Sequence, residues 1–108
     1  MAFDAGLVAR IADALYAIGE RTIRQKSVFG GRGFMDGKHA FVIVSEDAII
    51  AKLAPDDYAN ALTEPGVAPF TPMGERAMGT WVVVDAEVVA DDPELADWLK
   101  RALRGVRR

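Results

Sequence analysis

The sequence predicts an α+β domain in which helices pack on one face of an antiparallel sheet. An amphipathic helical pattern stands near each end of the chain, and the stretch 27–53 between them reads as short strands folded back on one another. Alternating strand–helix–strand units are absent, which disfavours a doubly wound α/β fold. We therefore expect a two-layer sandwich with a sheet of about five strands, an N-terminal helix, a C-terminal helix and one short helix.

The first helix is predicted over residues 4–18. Asp4 stands where a carboxylate can accept hydrogen bonds from the free N–H groups of the first turn. Gly19 is a suitable C-terminal stop. The apolar residues recur at three- or four-residue steps, as one stripe of an amphipathic helix, and they are Phe3, Leu7, Ile11, Leu15 and Ile18.

Strands are predicted through Val28-Phe29 and at residues 33–35, 40–44 and 48–53. Asp36-Gly37 predicts a type I′ hairpin turn, because glycine adopts a positive φ without steric cost. A second reversal is predicted at residues 45–47. Residues 40–44 and 48–51 are apolar at every position, whereas strands with one solvated face alternate. Both faces of the sheet centre should therefore be covered.

A short second helix is predicted over residues 55–63, with Pro55 in its first turn. Residues 63–80 should form a long irregular loop, which in a compact domain is usually functional or packed as a lid. A last strand is predicted at 81–84. Residues 85–90 connect it to the final helix, for which Asp92 should be the cap, with Pro93 at the first helical position.

The composition narrows the function classes. A chain of 108 residues is one domain, and the lack of cysteine excludes disulfides, thiolate nucleophiles and cysteine-bound zinc, which fits a reducing cytoplasm. The charged N-terminus does not read as a signal peptide, and no apolar run is long enough to span a membrane. The formal net charge is −3. We therefore expect no tight DNA binding by this domain alone at physiological salt.

Candidate catalytic and cofactor motifs are weak. Gly31-x-Gly33 lacks the third glycine and the following helix of a dinucleotide loop, so a turn or bulge is favoured. His39 is the only histidine, too few for an imidazole-rich metal site. Ser27 and Ser45 lack the sequence context of a nucleophile elbow. The acidic pairs fall in turns and helix starts, so we predict no catalytic residue, cofactor or metal ligand.

Two groups of residues could bind a partner. The basic residues Arg21, Arg24, Lys26 and Arg32 form either a phosphate-contacting edge or, as we favour, a strand edge protected by charge.

Lys52 either extends to the sheet edge or faces a pocket under the 63–80 loop. Phe70 and Trp81 should be buried and fasten that loop to the sheet. The candidate groove or interaction surface, for which plain core is the alternative, is Lys52, Phe70, Met73, Arg76, Met78 and Trp81.

Several segments together resemble the TfoX/Sxy N-terminal domain family over residues 3–106. They are SVFGGRGF at 27–34, IAKL at 50–53, Pro69-Phe70 and MGTW at 78–81. The resemblance implies a two-layer sandwich similar in topology to secretion chaperones, and no catalytic residues. Named members regulate natural competence for DNA uptake and act as transcriptional coactivators. They carry a second, C-terminal domain that this chain lacks, so the competence role itself is not carried over.

Two functions follow as hypotheses. The first is a non-enzymatic regulatory or protein-interaction domain that forms a homodimer, because a sheet apolar on both faces needs more cover than these helices offer. The cover could come from the 63–80 loop, from helices divided between the faces, or from a second copy. The alternative is a small-ligand-binding or catalytic domain with its site under the 63–80 loop.

Overall fold

The computed structural model describes residues 2–74 and 76–108, and over these residues it contains three helices and a six-stranded antiparallel sheet. The strands lie in the order β1-β2-β3-β4-β6-β5. The α+β class is confirmed. The elements are α1 Ala5–Ala17, β1 Arg24–Val28, β2 Gly31–Asp36, β3 His39–Ser45, β4 Ala48–Lys52, α2 Pro55–Ala61, β5 Val67–Pro69, β6 Trp81–Val84 and α3 Asp92–Val106.

The additional strand, β5, lies inside the segment 63–80 that the sequence predicts to be irregular. It pairs antiparallel with β6, Val67 opposite Val84. Three residues are too few to show an alternating pattern, and Pro69 argues against a strand. Proline is tolerated here because β5 is the last strand of the sheet, where an N–H facing solvent is not needed.

The predicted ends of α1 are confirmed within one residue. The Asp4 carboxylate accepts hydrogen bonds from the N–H groups of Gly6 and Leu7 at 2.9 and 3.1 Å. Gly19 follows the helix with a φ of 95°, a backbone conformation that favours glycine.

The predicted cap of α3 was wrong by one residue. The Asp91 carboxylate accepts the hydrogen bond from the Glu94 N–H at 3.0 Å, and Asp92 is the first helical residue with Pro93 behind it. The two aspartates are adjacent in the sequence and equally suitable as caps. Asp91 is the cap because its carboxylate reaches an N–H group three residues further on.

The β2–β3 hairpin has its turn one residue later than predicted. Asp36 pairs with His39, so the two central turn residues are Gly37 and Lys38. Only Gly37 has a positive φ, at 64°. This is the pattern of a type II′ turn and not of type I′, which needs a positive φ at both central residues.

All three helices lie on the same face of the sheet, which we call the helix face. It holds the main core, built from Phe34, Phe41, Val44, Ile49 and Trp98 among other residues. The opposite face, here the open face, carries a smaller cluster of Ile43, Ile50 and Trp81. The expectation that both faces of the sheet centre are covered is therefore confirmed.

The open face is covered by the 63–80 segment and not by a helix. Phe70 and Met78 pack against the cluster of Ile43, Ile50 and Trp81. Ile43 and Ile50 are 1% and 5% exposed in the single chain. Of the three covers that we considered, the structure shows the 63–80 segment. It does not show helices divided between the two faces of the sheet.

Glycine allows two close approaches that position the layers. At Gly105 in α3 a Cβ atom would lie 2.6 Å from the Lys52 carbonyl oxygen, so the helix rests directly on the end of β4. At Gly31 a Cβ atom would collide with the Val44 carbonyl oxygen of β3. The Gly31-x-Gly33 motif lies within strand β2, so it is neither a dinucleotide loop nor the turn or bulge that we expected, and the register shift of β2 falls later, between Phe34 and Met35.

Candidate interaction surface

Four of the six predicted surface residues come together on the open face. Lys52 and Trp81 are register partners on β4 and β6, and the Lys52 Nζ lies 5.9 Å from the centroid of the Trp81 ring. Phe70 and Met78 pack beside them. The other two do not join this group in the same way, since the Met73 side chain is 88% exposed and Arg76 is also exposed.

Backbone hydrogen bonds close the base of the loop that carries these residues. The Phe70 N–H donates to the Trp81 carbonyl at 3.0 Å, and the Met78 N–H donates to the Phe70 carbonyl at 2.9 Å. Trp81 is buried, as predicted. Phe70 is only half-buried, so the prediction of its burial was too strong. Its ring extends past the cluster toward the β1–β2 turn.

That turn presents an aromatic side chain which the sequence reading missed. Phe29 is 69% exposed, and its ring centroid lies 6.2 Å from that of Phe70 with the planes tilted by 49°. We call these two rings, Phe29 and Phe70, the aromatic patch. The signal was a phenylalanine directly before Gly30, which we read as the end of a strand and not as the turn.

Phe29 also has an unfavourable backbone conformation. Val28 pairs with Gly31, so Phe29 and Gly30 are the central turn residues, with φ values of 53° and 77°. This is the type I′ pattern, for which Asn-Gly is a preferred sequence. A bulky residue at positive φ is an outlier, and such outliers concentrate at functional sites.

A groove of about 400 Å³ lies beside Trp81, at one end of the strands. Its lining carries two lysine side chains, whose ammonium groups can donate charge-assisted hydrogen bonds to a small anion. Lys52 is half-buried and faces this groove, at the end of the sheet and not beneath the 63–80 loop. The lining residues are Lys38, His39, Ala40, Lys52, Trp81 and Val106.

The predicted basic edge is found at β1. Arg24 donates to the Gly37 carbonyl, and Arg32 donates to the Gln25 side chain. The Arg21 guanidinium lies 3.8 Å from the centroid of the exposed Tyr16 ring. Within residues 2–74 and 76–108, no carboxylate forms an ion pair with these arginines or with Lys26.

The arginines of α3, by contrast, are ion-paired. Arg107 contacts Glu20 at 2.7 Å and Asp36 at 2.8 Å, which fastens the end of α3 to the segment after α1 and to β2. Hydrogen bonds from Arg107 lower the pKa of both carboxyl groups, and the same bonds raise the pKa of Arg107. Arg101 stacks on Trp98 and binds carboxylates on and after α2. We assign these groups to holding the helices in place.

Within the described part of the chain, the titratable side chains do not assemble into a recognisable metal site. Among the described residues we find no group of three or more His, Asp or Glu side chains placed to hold a metal ion. His39 is exposed at the start of β3. In the same part of the chain, no helix has the length and apolar character needed to cross a membrane.

The fold is a small two-layer α+β domain with its helices on one face of the sheet. It carries an aromatic patch at the β1–β2 turn and the 63–80 segment, and a basic edge at β1. The family model of the TfoX N-terminal domain matches residues 13–106, nearly the whole chain. The chain belongs to the TfoX N-terminal domain family, as the sequence resemblance predicts. No curated protein matches it.

Proposed function

We propose that this chain is a non-enzymatic regulatory domain that acts by binding proteins, and that it pairs with a second copy of itself through the aromatic patch. The observation that carries the proposal is Phe29, an exposed aromatic side chain held in a left-handed turn. Phenylalanine does not favour this backbone conformation, and the turn leaves its ring exposed to solvent. Exposed aromatic anchors of this kind are typical of interfaces.

The chemistry of the patch suits a second copy. A symmetric pair brings the same surface of each chain together, so a surface whose charges are all of one sign repels its own copy. Phe29 and Phe70 are uncharged, so they can oppose their copies without repulsion. The basic edge at β1 would not tolerate such pairing. The apolar sheet residues beneath are already buried within one chain, so the patch and not the bare sheet is the contact.

The regulatory role follows from the family and from the types of side chain available. The chain belongs to the TfoX N-terminal domain family, has no cysteine, and has a single histidine, which is exposed. These features favour binding over catalysis, in line with the regulatory members that the chain resembles. We further propose a cytoplasmic location, because a chain without cysteine has none of the disulfides that are common in small secreted domains.

Sedimentation velocity at micromolar concentration tests the pairing. We expect a dimer for the unaltered chain and a monomer for Phe29→Asn, since asparagine keeps the turn but removes the ring. Tyr16→Ser is the matched control, because Tyr16 is similarly exposed, at 65%, but lies on α1. A monomeric unaltered chain, or a dimer that survives Phe29→Asn, would contradict pairing through the patch.

The second candidate, a small-ligand-binding domain, is favoured by the groove at Lys52. Its two lysines, Lys38 and Lys52, could hold an anionic group such as a carboxylate or phosphate. Thermal unfolding with citrate or phosphate, against chloride at equal ionic strength, is the test. Stabilisation that disappears in Lys52→Gln would favour this function, whereas equal stabilisation of both proteins would show a general salt effect.

A further inference from the structure

The outer edge of β1 is available to another extended chain. β1 is the terminal strand of the sheet, and four of its five residues are exposed. Val28 and Gly31 flank a two-residue turn, so they form the hydrogen-bonded pair that closes the hairpin. Hydrogen bonding alternates along an antiparallel strand. Gln25 and Ser27 therefore direct their N–H and C=O groups outward.

The charge along this edge selects the partner. Arg24 and Lys26 share the open face with Val28, whose side chain packs on the Ile43 cluster. Pairing two copies through this edge would oppose these cations, and like charges across strands are destabilising. A nucleic acid fits less well, because the few cations here neutralise few phosphates and the chain as a whole is acidic. An acidic polypeptide has the complementary charge.

A pocket on the helix face lies directly beside the edge. It has a volume of about 200 Å³ and lies between α1 and the strands β1 and β2. Tyr16 and Arg21 stand at its rim with their stacked side chains. The rim carboxylate of Glu20 is bound by Arg107, so it does not repel an acidic partner strongly. Apolar walls come from both layers: Leu15, Ile23 and Phe34.

We propose that the β1 edge and this pocket together bind an extended acidic segment of a partner protein, which joins the sheet as a further strand beside β1. Alternate side chains of an added strand point to opposite faces of the sheet. Acidic side chains then face Arg24 and Lys26, and an apolar side chain enters the pocket next to Tyr16. The inference rests on the proposed protein-binding role but uses a surface separate from the aromatic patch.

The probe is a fluorescein-labelled peptide of about eight residues that alternates glutamate and leucine, the length of an ordinary strand. Its control has lysine at every glutamate position. Fluorescence anisotropy should show saturable binding of the acidic peptide and affinity weaker by about tenfold or more for the lysine peptide. Hydrogen exchange at the Gln25 and Ser27 amides should slow in the complex, because these N–H groups gain acceptors only if a strand is added.

Substitutions at Ser27 test the geometry of binding. Ser27→Pro removes an outward N–H group that the β1–β2 pairing does not use, so it should weaken binding by about tenfold or more. Ser27→Ala retains the N–H group and should bind as the unaltered chain does. If Ser27→Pro does not fold, Arg24→Glu combined with Lys26→Glu replaces it. That exposed pair should weaken the acidic peptide and strengthen the lysine peptide.

Three results would overturn the inference. They are equal affinity for the two peptides, fast exchange at Gln25 and Ser27 in the saturated complex, and tighter, salt-sensitive binding of a single-stranded oligonucleotide. Phe29→Asn separates this surface from the proposed pairing of two copies. It should abolish the dimer and leave the peptide affinity unchanged, so either proposal can fail without the other.

Discussion

Replacing Phe29 tests whether its ring serves the fold or serves binding. A left-handed backbone costs a residue other than glycine about 1–2 kcal/mol, and asparagine adopts it more easily. Complete burial of a phenylalanine contributes about 1.5–3 kcal/mol, but this ring is 69% exposed. Its burial and its contact with Phe70 should therefore contribute only about 1 kcal/mol to the free energy of unfolding.

These free energies predict different stabilities for two variants that both lose the Phe29 ring. Phe29→Ala loses the ring contacts and keeps the backbone cost, so it should be destabilised by about 1 kcal/mol. Phe29→Asn loses the same contacts and recovers the backbone cost, so its stability should match that of the unaltered chain. The difference of about 1 kcal/mol corresponds to roughly 4 °C in the melting temperature of a domain of this size.

Thermal unfolding followed by circular dichroism measures this difference. The protein must be dilute, because association would stabilise the unaltered chain by mass action. Raising the concentration should then raise the melting temperature of the unaltered chain and leave that of Phe29→Asn unchanged. Equal stability of the two variants would refute the left-handed turn. A loss of more than about 3 kcal/mol in both would show that the ring belongs to the core.

Three further predictions concern the fold. Gly105→Ala should lower the melting temperature, because overpacking against backbone atoms costs about 1–3 kcal/mol and exceeds the gain in helix propensity; Gly6→Ala, which meets only a movable carboxylate, is the control. Arg107→Gln should destabilise the protein at neutral pH and progressively less as the pH falls. The two carboxyl groups have lowered pKa values when folded, so their stabilising effect is present above their unfolded pKa values and lost on acidification; a difference in stability independent of pH between 7 and 3 would contradict this. Trp81→Ala should cost about 3–5 kcal/mol in denaturant unfolding and Phe70→Ala clearly less, given their different burial; equal losses would show that the loop encloses both rings.

The periodic parts of the fold could be predicted from the sequence. The stripe of α1, the cap at Asp4 and the doubly apolar strands β3 and β4 each follow from local patterns with one physical solution. The elements that were misplaced lack such a pattern. β5 is too short for alternation, and Asp91 and Asp92 are equivalent caps until the geometry distinguishes them.

The candidate surface was harder to predict because it depends on pairing between distant segments. The partnership of Lys52 with Trp81 requires the β4–β6 register, which no local signal specifies. Phe29 is exposed because it lies in the turn directly after β1, whereas its hydrophobicity predicts that it belongs to the strand itself. Met73 was expected in the groove as a flexible apolar residue, but its side chain is 88% exposed on a loop whose base is closed by backbone hydrogen bonds.

The unequal cover of the two sheet faces has a consequence for how the native state opens. The helix face is held by three helices, whereas the cluster of Ile43, Ile50 and Trp81 is held by one loop. Detaching that loop breaks few contacts and leaves the main core intact, so it should occur as a sub-global event far below the energy of complete unfolding. The amides of Phe70 and Met78 would then exchange by this route, while Val82 exchanges only when the whole domain unfolds. The protein thus has one layer that can loosen reversibly while the other keeps the fold.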